Sequence, residues 1–496
     1  MTERGMTRPG SLPAATPGDD GSPRRWAVLA VVCAAQFLTI LDLWVVNIAL
    51  PTLERDFAPA TLPQVAWILD IYAIGLAGLL LPAGRAADRI GARRCFLAGL
   101  VIFGVASAAC AAAPSLPVLI AARAVQAAGA AVLMPTSLGL ALAVFPARQR
   151  GTAVGIWSAV AGAAGGSGPV LGGLLVGVSW RLIFLINVPL VAAALVAGVA
   201  VLPRPAADPG RPRPRLDLAG ALLALAAIGL VCLALTEAPT WPASRTGPLL
   251  AAGLVLGAAF TAWIRRRRDP VLNPRLFAVG RFSAGAAGIV AYYTGFAALL
   301  LGTTLLLTQY WHFSVLTAAL GIAPAPLTVA LGAPFSGLVA ARLGRRATIG
   351  AGAACFAASA AWPLAAAGPR PAYLTVVLPS MLAWGVANAL IQPSLFAAAD
   401  AVPRTELASG SAVLAMGRQL GSALGVAVLV ALIGPQPGGS AAGFDRVWIL
   451  VLASAAATAL AGAWAGGRPA RRGEPDGGTG PGAPGPVSRG HGGQGS

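Results

Sequence analysis

Apolar residues run together along this chain. Between Trp26 and Gly467 they form fourteen stretches, each about one bilayer long and separated by short polar segments. A helix needs roughly 20 apolar residues to cross a membrane. No soluble domain of this length hides fourteen such stretches in one core, so the pattern predicts an all-α polytopic membrane protein. The spans are expected near 26–49, 65–83, 95–113, 117–144, 150–176 and 182–202. Two more follow near 216–236 and 247–264, and six more near 282–308, 316–340, 347–367, 372–396, 407–433 and 446–466. The domain reading is six, two, six: a disordered cytoplasmic tail 1–25, a bundle 26–202, a linker 203–281 carrying two extra spans, a second bundle 282–466 and a second disordered cytoplasmic tail 467–496.

Charge fixes the expected orientation. The basic side chains are all Arg, and charged residues are only 10% of the chain. With the N-terminus inside, only Arg55, Arg181, Arg245, Arg370 and Arg446 fall outside, and Arg123 and Arg418 fall within spans. All other arginines are cytoplasmic, as the positive-inside rule requires. Both termini are therefore expected in the cytoplasm, with the chain a multi-pass protein of the cytoplasmic membrane. The net charge of +18 follows from this asymmetry, and no nucleic-acid partner is expected. The five cysteines lie in or beside apolar segments with no CxxC or Cys/His cluster, so neither a metal site nor a disulfide is indicated. The first stretch continues past Cys33 and is read as a retained span rather than a signal peptide.

The outer sixes read as an internal duplication. Gly84-Arg-Ala-Ala-Asp88-Arg89-Ile-Gly91-Ala-Arg93-Arg94 follows the second span, and Gly337 to Arg346 follows its counterpart with the same spacing between the two glycines. Met134-Pro135-Thr136-Ser137 echoes Gln392-Pro393-Ser394 late in the fourth span of each half. Duplicated halves meeting at a midplane site are a common transporter plan.

Six motifs in order carry a family resemblance. They are Asp42 to Pro51 with Asn47 between; the Gly84–Arg94 segment; Arg123-Ala-Val-Gln126-Ala-Ala-Gly129; Gly162 through Gly168-Pro169-Val-Leu-Gly172-Gly173; Trp180-Arg181 to Asn187-Val188-Pro189; and Arg418-Gln419-Leu-Gly421. The chain resembles the major facilitator superfamily, and within it the fourteen-span drug:proton antiporters. Ala127 departs from that pattern, which has Gly there, and Asp70 stands where the family often has a hydroxyl residue. The resemblance implies that Arg123 tunes a nearby acid for proton coupling. It implies that a cytoplasmic gating loop with Gly84, Asp88, Arg89, Gly91, Arg93 and Arg94 latches the cytoplasmic side in one conformation. It implies that the antiporter motif of Gly162, Gly168, Pro169, Gly172 and Gly173 seals against proton leak. Generic helix packing explains the glycines nearly as well.

Asp42 and Asp70 are the acids within spans, and carboxylates in hydrocarbon usually mark a functional path. A carboxylic acid taken out of water holds its proton more tightly, so it can load and release one near neutral pH. It can also attract a cationic substrate, and the competition between the two is antiport in its simplest form. The alternative is a structural Asp42, neutralised by Arg123 or hydrogen-bonded by Asn47. Arg123 and Arg418 equally admit a structural reading, Arg418 more so. Asp88 is expected to accept hydrogen bonds from helix N-terminal amides. Trp44, Asn47, Tyr72, Asn388 and Gln392 are candidates for the substrate cavity, with Trp157, Tyr292, Tyr293, Phe296 and Trp384 as further aromatic candidates. For most single members, core packing or an interfacial belt is the better explanation of the residue. Asn388 and Gln392, four apart, share a helix face.

The expected function is proton-driven export of hydrophobic, often cationic, drugs or antibiotics. A dedicated exporter of one self-made compound is the alternative. A membrane-embedded enzyme lacks a candidate catalytic set, since the histidines are His312 and His491 alone and no nucleophile motif stands out. No cofactor is expected, the proton gradient being the energy source. The expected partners are a small-molecule substrate, protons and membrane lipid, with the chain working as a monomer.

Overall fold

The computed structural model describes residues 23–146, 149–203, 217–267, 270–403, 406–434 and 440–465. Among them are fourteen helices long and apolar enough to cross a membrane. The first five are α1 (Pro23–Asp56), α2 (Leu62–Ile90), α3 (Ala92–Ala111), α4 (Leu116–Val144) and α5 (Arg150–Val178). Next is α6, broken at Ile186 into Leu182–Leu185 and Asn187–Val201. The central pair is α7 (Leu218–Thr236) and α8 (Ala243–Arg266). Then come α9 (Gly280–Leu305), which widens into a π turn over Leu306–Tyr310, and α10, in two pieces, Val315–Ile322 and Pro324–Leu343. The last four are α11 (Arg345–Ala366), α12 (Leu378–Phe396), α13 (Leu407–Ile433) and α14 (Ala441–Ala465).

All fourteen expected spans are present, and most of the helices overrun them at one end or both, whereas α3, α6, α7 and α12 stop short at an end. At 1.5 Å per residue α1 is about 50 Å long, well beyond the roughly 30 Å hydrocarbon core. Polar ends extend as helix because backbone hydrogen bonding does not stop at the membrane surface. Pro23 to Arg25 are already helical, although they fall in the expected N-terminal tail. The rest of that tail, the expected C-terminal tail and most of the Pro203–Arg215 segment lie outside the described residues. The exterior is apolar as lipid demands: Val178 is 81% exposed, Leu331 75% and Leu374 72%.

Helices α1 to α6 pack on one another, with α1 against α4, α5 and α6, α2 against α4, and α3 against α4 and α6. Helices α9 to α14 do likewise, with α9 against α13 and α14, α11 against α12 and α14, and α10 against α12. Contacts between the sets follow a pseudo-twofold: α2 meets α13, α5 meets α10, and α1 meets α9. Second meets fifth in both directions, and first meets first. The duplicated motif shows the same symmetry. Gly91 (φ 108°) joins α2 to α3, and Gly344 (φ 82°) joins α10 to α11, both in the left-handed region that favours glycine.

The central pair breaks the twofold. Helix α7 packs on α8 and covers the seam between α2 and α13. There Cys232, Leu225 and Ile228 of α7 close over Ala73 and Ile74 of α2 and Ala423 and Ala427 of α13. At the arginine-rich end a strap beginning at Pro270 ties the same three helices. Asp217 caps α7 by accepting from Gly220 N (2.9 Å), and also accepts from Trp263 Nε1 (3.0 Å) and Val271 N (3.0 Å). The Pro270 carbonyl accepts from Arg85 of α2, and Asn273 Nδ2 donates to Glu406 Oε1 (3.1 Å) at the start of α13.

Candidate functional site: a buried ion pair and an aromatic cluster

Helix α1 presents chemistry on two faces. Asp42, 1% exposed, points into the first set of helices. Arg123 and Gln126, three apart on α4, and Asn187 at the break in α6 meet it there, and Ser107 of α3 accepts from Gln126 and Asn187. Arg123 Nη1 is ion-paired to Asp42 Oδ2 and donates to Gln126 Oε1 (2.7 Å). Its Nε donates to the Ile68 carbonyl (3.1 Å), and its guanidinium lies 4.2 Å from the centre of the Tyr72 ring. Gln126 Nε2 donates to Asp42 Oδ1 (2.9 Å) and Ser107 Oγ (2.8 Å), and Asn187 Nδ2 reaches Asp42 Oδ1 (3.3 Å). A buried charge persists only when paired and hydrogen-bonded, and both conditions are met here. Of the two partners considered for Asp42, Arg123 pairs with it, whereas Asn47 accepts a hydrogen bond from Thr304 instead. The carboxylate is sealed in this conformation, so direct contact with a cationic substrate, as expected from sequence, is not what the geometry shows.

Asp70 is elsewhere. It is fully buried and faces the central pair, where Thr236 Oγ1 of α7 donates to Oδ2 (3.2 Å). Its Oδ1 has no hydrogen-bond partner among the described residues. The structure therefore does not bring the two in-span acids together, and it does not place Asp70 among the aromatic candidates for the substrate cavity.

The other face of α1 carries Trp44. It meets Phe296 of α9 (ring centres 5.9 Å apart) and Trp384 of α12 (6.2 Å), which are 4.9 Å from each other. Tyr292 and Tyr293 extend the cluster through Phe296 at 6.1 and 5.2 Å. Five candidate aromatics thus converge where the two sets of helices meet. Asn388 and Gln392 follow Trp384 at intervals of four on α12, both half-buried, and Asn388 Oδ1 has no hydrogen-bond partner among the described residues. Tyr72 stays under Arg123, and Trp157 donates to Ser137 Oγ (3.2 Å) within the first set, so neither joins the cluster. Asn47 accepts from Thr304 Oγ1 of α9 (3.2 Å), linking α1 to the second set, and Glu54 accepts from Gln309 Nε2 (2.6 Å) a few turns on.

The Gly84–Arg94 segment is not a loop. Helix α2 continues through Ile90, so Gly84, Asp88 and Arg89 are helical and Gly91 alone is the turn. Asp88 lies in the last turn of α2 and is exposed along with Arg89 and Arg94, and among the described residues no amide donates to it. Arg93 donates to the Val199 carbonyl (2.9 Å) in the last turn of α6, capping that helix. Arg85 of the same segment reaches farther along the chain, to the Pro270 carbonyl. The antiporter motif divides. Gly168 leaves no room for a side chain against Trp44 of α1, Gly172 packs closely on Val45, Gly173 lies against Leu316 and Ala319 of α10, and Gly162 faces open space. Pro169 is buried between these contacts.

Sequence reasoning missed Ser107 and Thr236 as site residues, and quoted Gln126 and Asn187 only as motif members. The three-residue spacing of Arg123 and Gln126 was a usable signal.

A profile of the Major Facilitator Superfamily matches residues 32–265. Among curated proteins, the chain is 36% identical over 426 residues to a puromycin resistance protein of Streptomyces alboniger, covering 84% of this chain and 83% of that one. It is 34% identical over 398 residues to the multidrug resistance protein Stp of Mycobacterium tuberculosis (79% and 73%). It is 32% identical over 440 residues to a probable actinorhodin transporter of Streptomyces coelicolor (84% and 75%). Among solved structures, a POT family transporter in complex with 5-aminolevulinic acid superposes with a TM-score of 0.65 at 15% identity, covering 88% of this chain and 96% of that one. That likeness shows the fold.

Proposed function

This chain belongs to the major facilitator superfamily, and from that premise we propose that it exports hydrophobic small molecules, drugs or antibiotics, across the cell membrane in exchange for protons. One observation carries the coupling. Helix α1 holds Asp42 in a buried ion pair on one face and, two residues on, Trp44 in the aromatic cluster on another. A proton added to Asp42 cancels its attraction for Arg123. Arg123 then retains Gln126, the Ile68 carbonyl and the Tyr72 ring, and α1 is released from its strongest tether. A substrate between Trp44, Phe296 and Trp384 bears on the same helix from the other side. Proton and substrate thus bias one element in opposite senses, which is the requirement for exchange.

The arginine-rich end is cytoplasmic in this reading, with both termini inside. The close contacts of α1 with α9 and of α5 with the first piece of α10 then lie on the outer side. Relatives named for single compounds favour a narrow substrate range as the second reading, and a panel of antibiotics tested for efflux separates it from multidrug export. The test of coupling is drug-induced proton movement in inverted membrane vesicles. Asp42→Asn is expected to abolish proton-driven efflux. Full drug-induced proton release from the Asp42→Asn, Asp70→Asn double variant would overturn this reading.

A further inference from the structure

Two acids and two arginines lie well inside the spans, and three of those side chains are turned away from the aromatic cluster. Asp42 and Arg123 neutralise each other, and Asp70 faces α7. The fourth is Arg418. It lies eleven residues into α13, about 17 Å along the axis and so near the bilayer midplane. Ala423 and Ala427, on roughly the opposite face at 100° per residue, are the residues packed against α7. Arg418 therefore points away from the covered seam, toward the middle of the molecule. Gly421 and Gly425 bring α13 against the backbone of α9 at Val290 and Thr294, which sets Tyr293 beside Arg418 with the guanidinium carbon 6.0 Å from the ring centre. From Tyr293 the rings continue through Phe296 (5.2 Å) to Trp384 (4.9 Å) and Trp44 (6.2 Å). Arg418 is half-buried, and among the described residues no carboxylate pairs with it.

A guanidinium keeps its charge at any working pH, and its planar fork matches a carboxylate. The charge left facing the aromatic cluster is thus positive, although the in-span acids alone suggested a preference for cations. We propose that Arg418 binds the acidic group of the substrate, a carboxylate or ionised phenol on a flat aromatic skeleton, while Trp44, Phe296 and Trp384 hold the rings. This rests on the export reading above and names its substrate class.

Three probes with one ring system test it: anthracene-9-carboxylate, its neutral carboxamide, and 9-(aminomethyl)anthracene. Binding to the purified full-length protein is followed by quenching of tryptophan fluorescence, with Trp44 and Trp384 as reporters. The carboxylate is expected to bind about tenfold or more tighter than the other two, the scale of one charge-assisted contact. Arg418→Gln is expected to erase that preference while leaving carboxamide affinity within about twofold, and Arg418→Lys to keep part of it. Equal affinities in the native protein, tightest binding of the ammonium probe, no binding of any probe, or equal weakening of all three by Arg418→Gln would each overturn the proposal. The native ranking stands as a test even if a variant fails to fold, which a thermal melt reveals. Binding needs no proton gradient, so vesicles that bind the carboxylate but do not export it would sink the export reading alone.

Discussion

Asp42 is held by three side-chain donors, Arg123, Gln126 and Asn187, and none of the three is close to it in sequence. Removing one partner of a buried pair leaves an uncompensated charge, at a cost of about 3–5 kcal/mol. Arg123→Leu is therefore expected to lower the melting temperature of the purified protein sharply. Adding Asp42→Asn should recover much of the loss, because the orphaned charge is gone. A double variant no more stable than Arg123→Leu alone would show that Arg123 contributes mainly through Tyr72 and the Ile68 carbonyl. At this scale the sequence was legible where residue type is scarce. An Asp and an Arg inside apolar spans stand out, and their pairing was one of the readings open. It was not legible for Asp70, whose direction depends on Thr236, 166 residues away on a helix outside the duplicated plan.

Helix ends were read less well than helix existence, for a physical reason. Apolar runs report where hydrocarbon begins, whereas a helix stops where a backbone needs left-handed φ, as at Gly91 and Gly344. Hence Asp88 was placed in a loop and lies on a helix. Close helix contacts give two expectations. A Cβ at Gly173 would lie 2.8 Å from Ala319 Cβ, so Gly173→Val should push α5 off α10. Efflux should fall while binding at the aromatic cluster is kept, and loss of binding alone would contradict this. Asp217 gives a pH signature. Partial burial pushes its carboxyl up, but the hydrogen bonds from Gly220, Trp263 and Val271, with Arg267 nearby, outweigh that and hold it below the usual carboxylate range. A depressed folded value means the cap contributes stability above the unfolded value of about 3.9 and loses it as pH falls through the folded one. Asp217→Ala should cost about 1 kcal/mol at pH 7, typical of a lost cap. The gap between the two proteins' melting temperatures should close near the acid limit. A gap independent of pH would mean the carboxylate charge is immaterial.

At the scale of the molecule, the pseudo-twofold predicts that one end closes as the other opens. Glu54 and Gln309 join α1 to the π turn after α9 at the end opposite the arginines. Replacing both with Cys and oxidising is expected to stop efflux nearly completely, with recovery on reduction. Undiminished efflux in the cross-linked protein would mean that this contact does not open in the cycle. Orientation is checked separately: residues 52–63 should label from outside, and a phosphatase fused after Ser496 should be inactive. The six-two-six count was legible in the sequence, but the position of the extra two was not, because apolar periodicity says nothing about which neighbour a helix meets. That position matters. Helix α7 roofs the seam between α2 and α13, while among the described residues its symmetry mate, between α5 and α10, carries no such helix; Leu174 on α5 and Leu327 and Phe335 on α10 stay exposed. Most hydrophobic compounds are far more concentrated in the membrane leaflet than in water. The two sides of this protein therefore sample the same dissolved solute unequally: one flank is a wall, and the other is the side on which a molecule drifting within the bilayer can arrive.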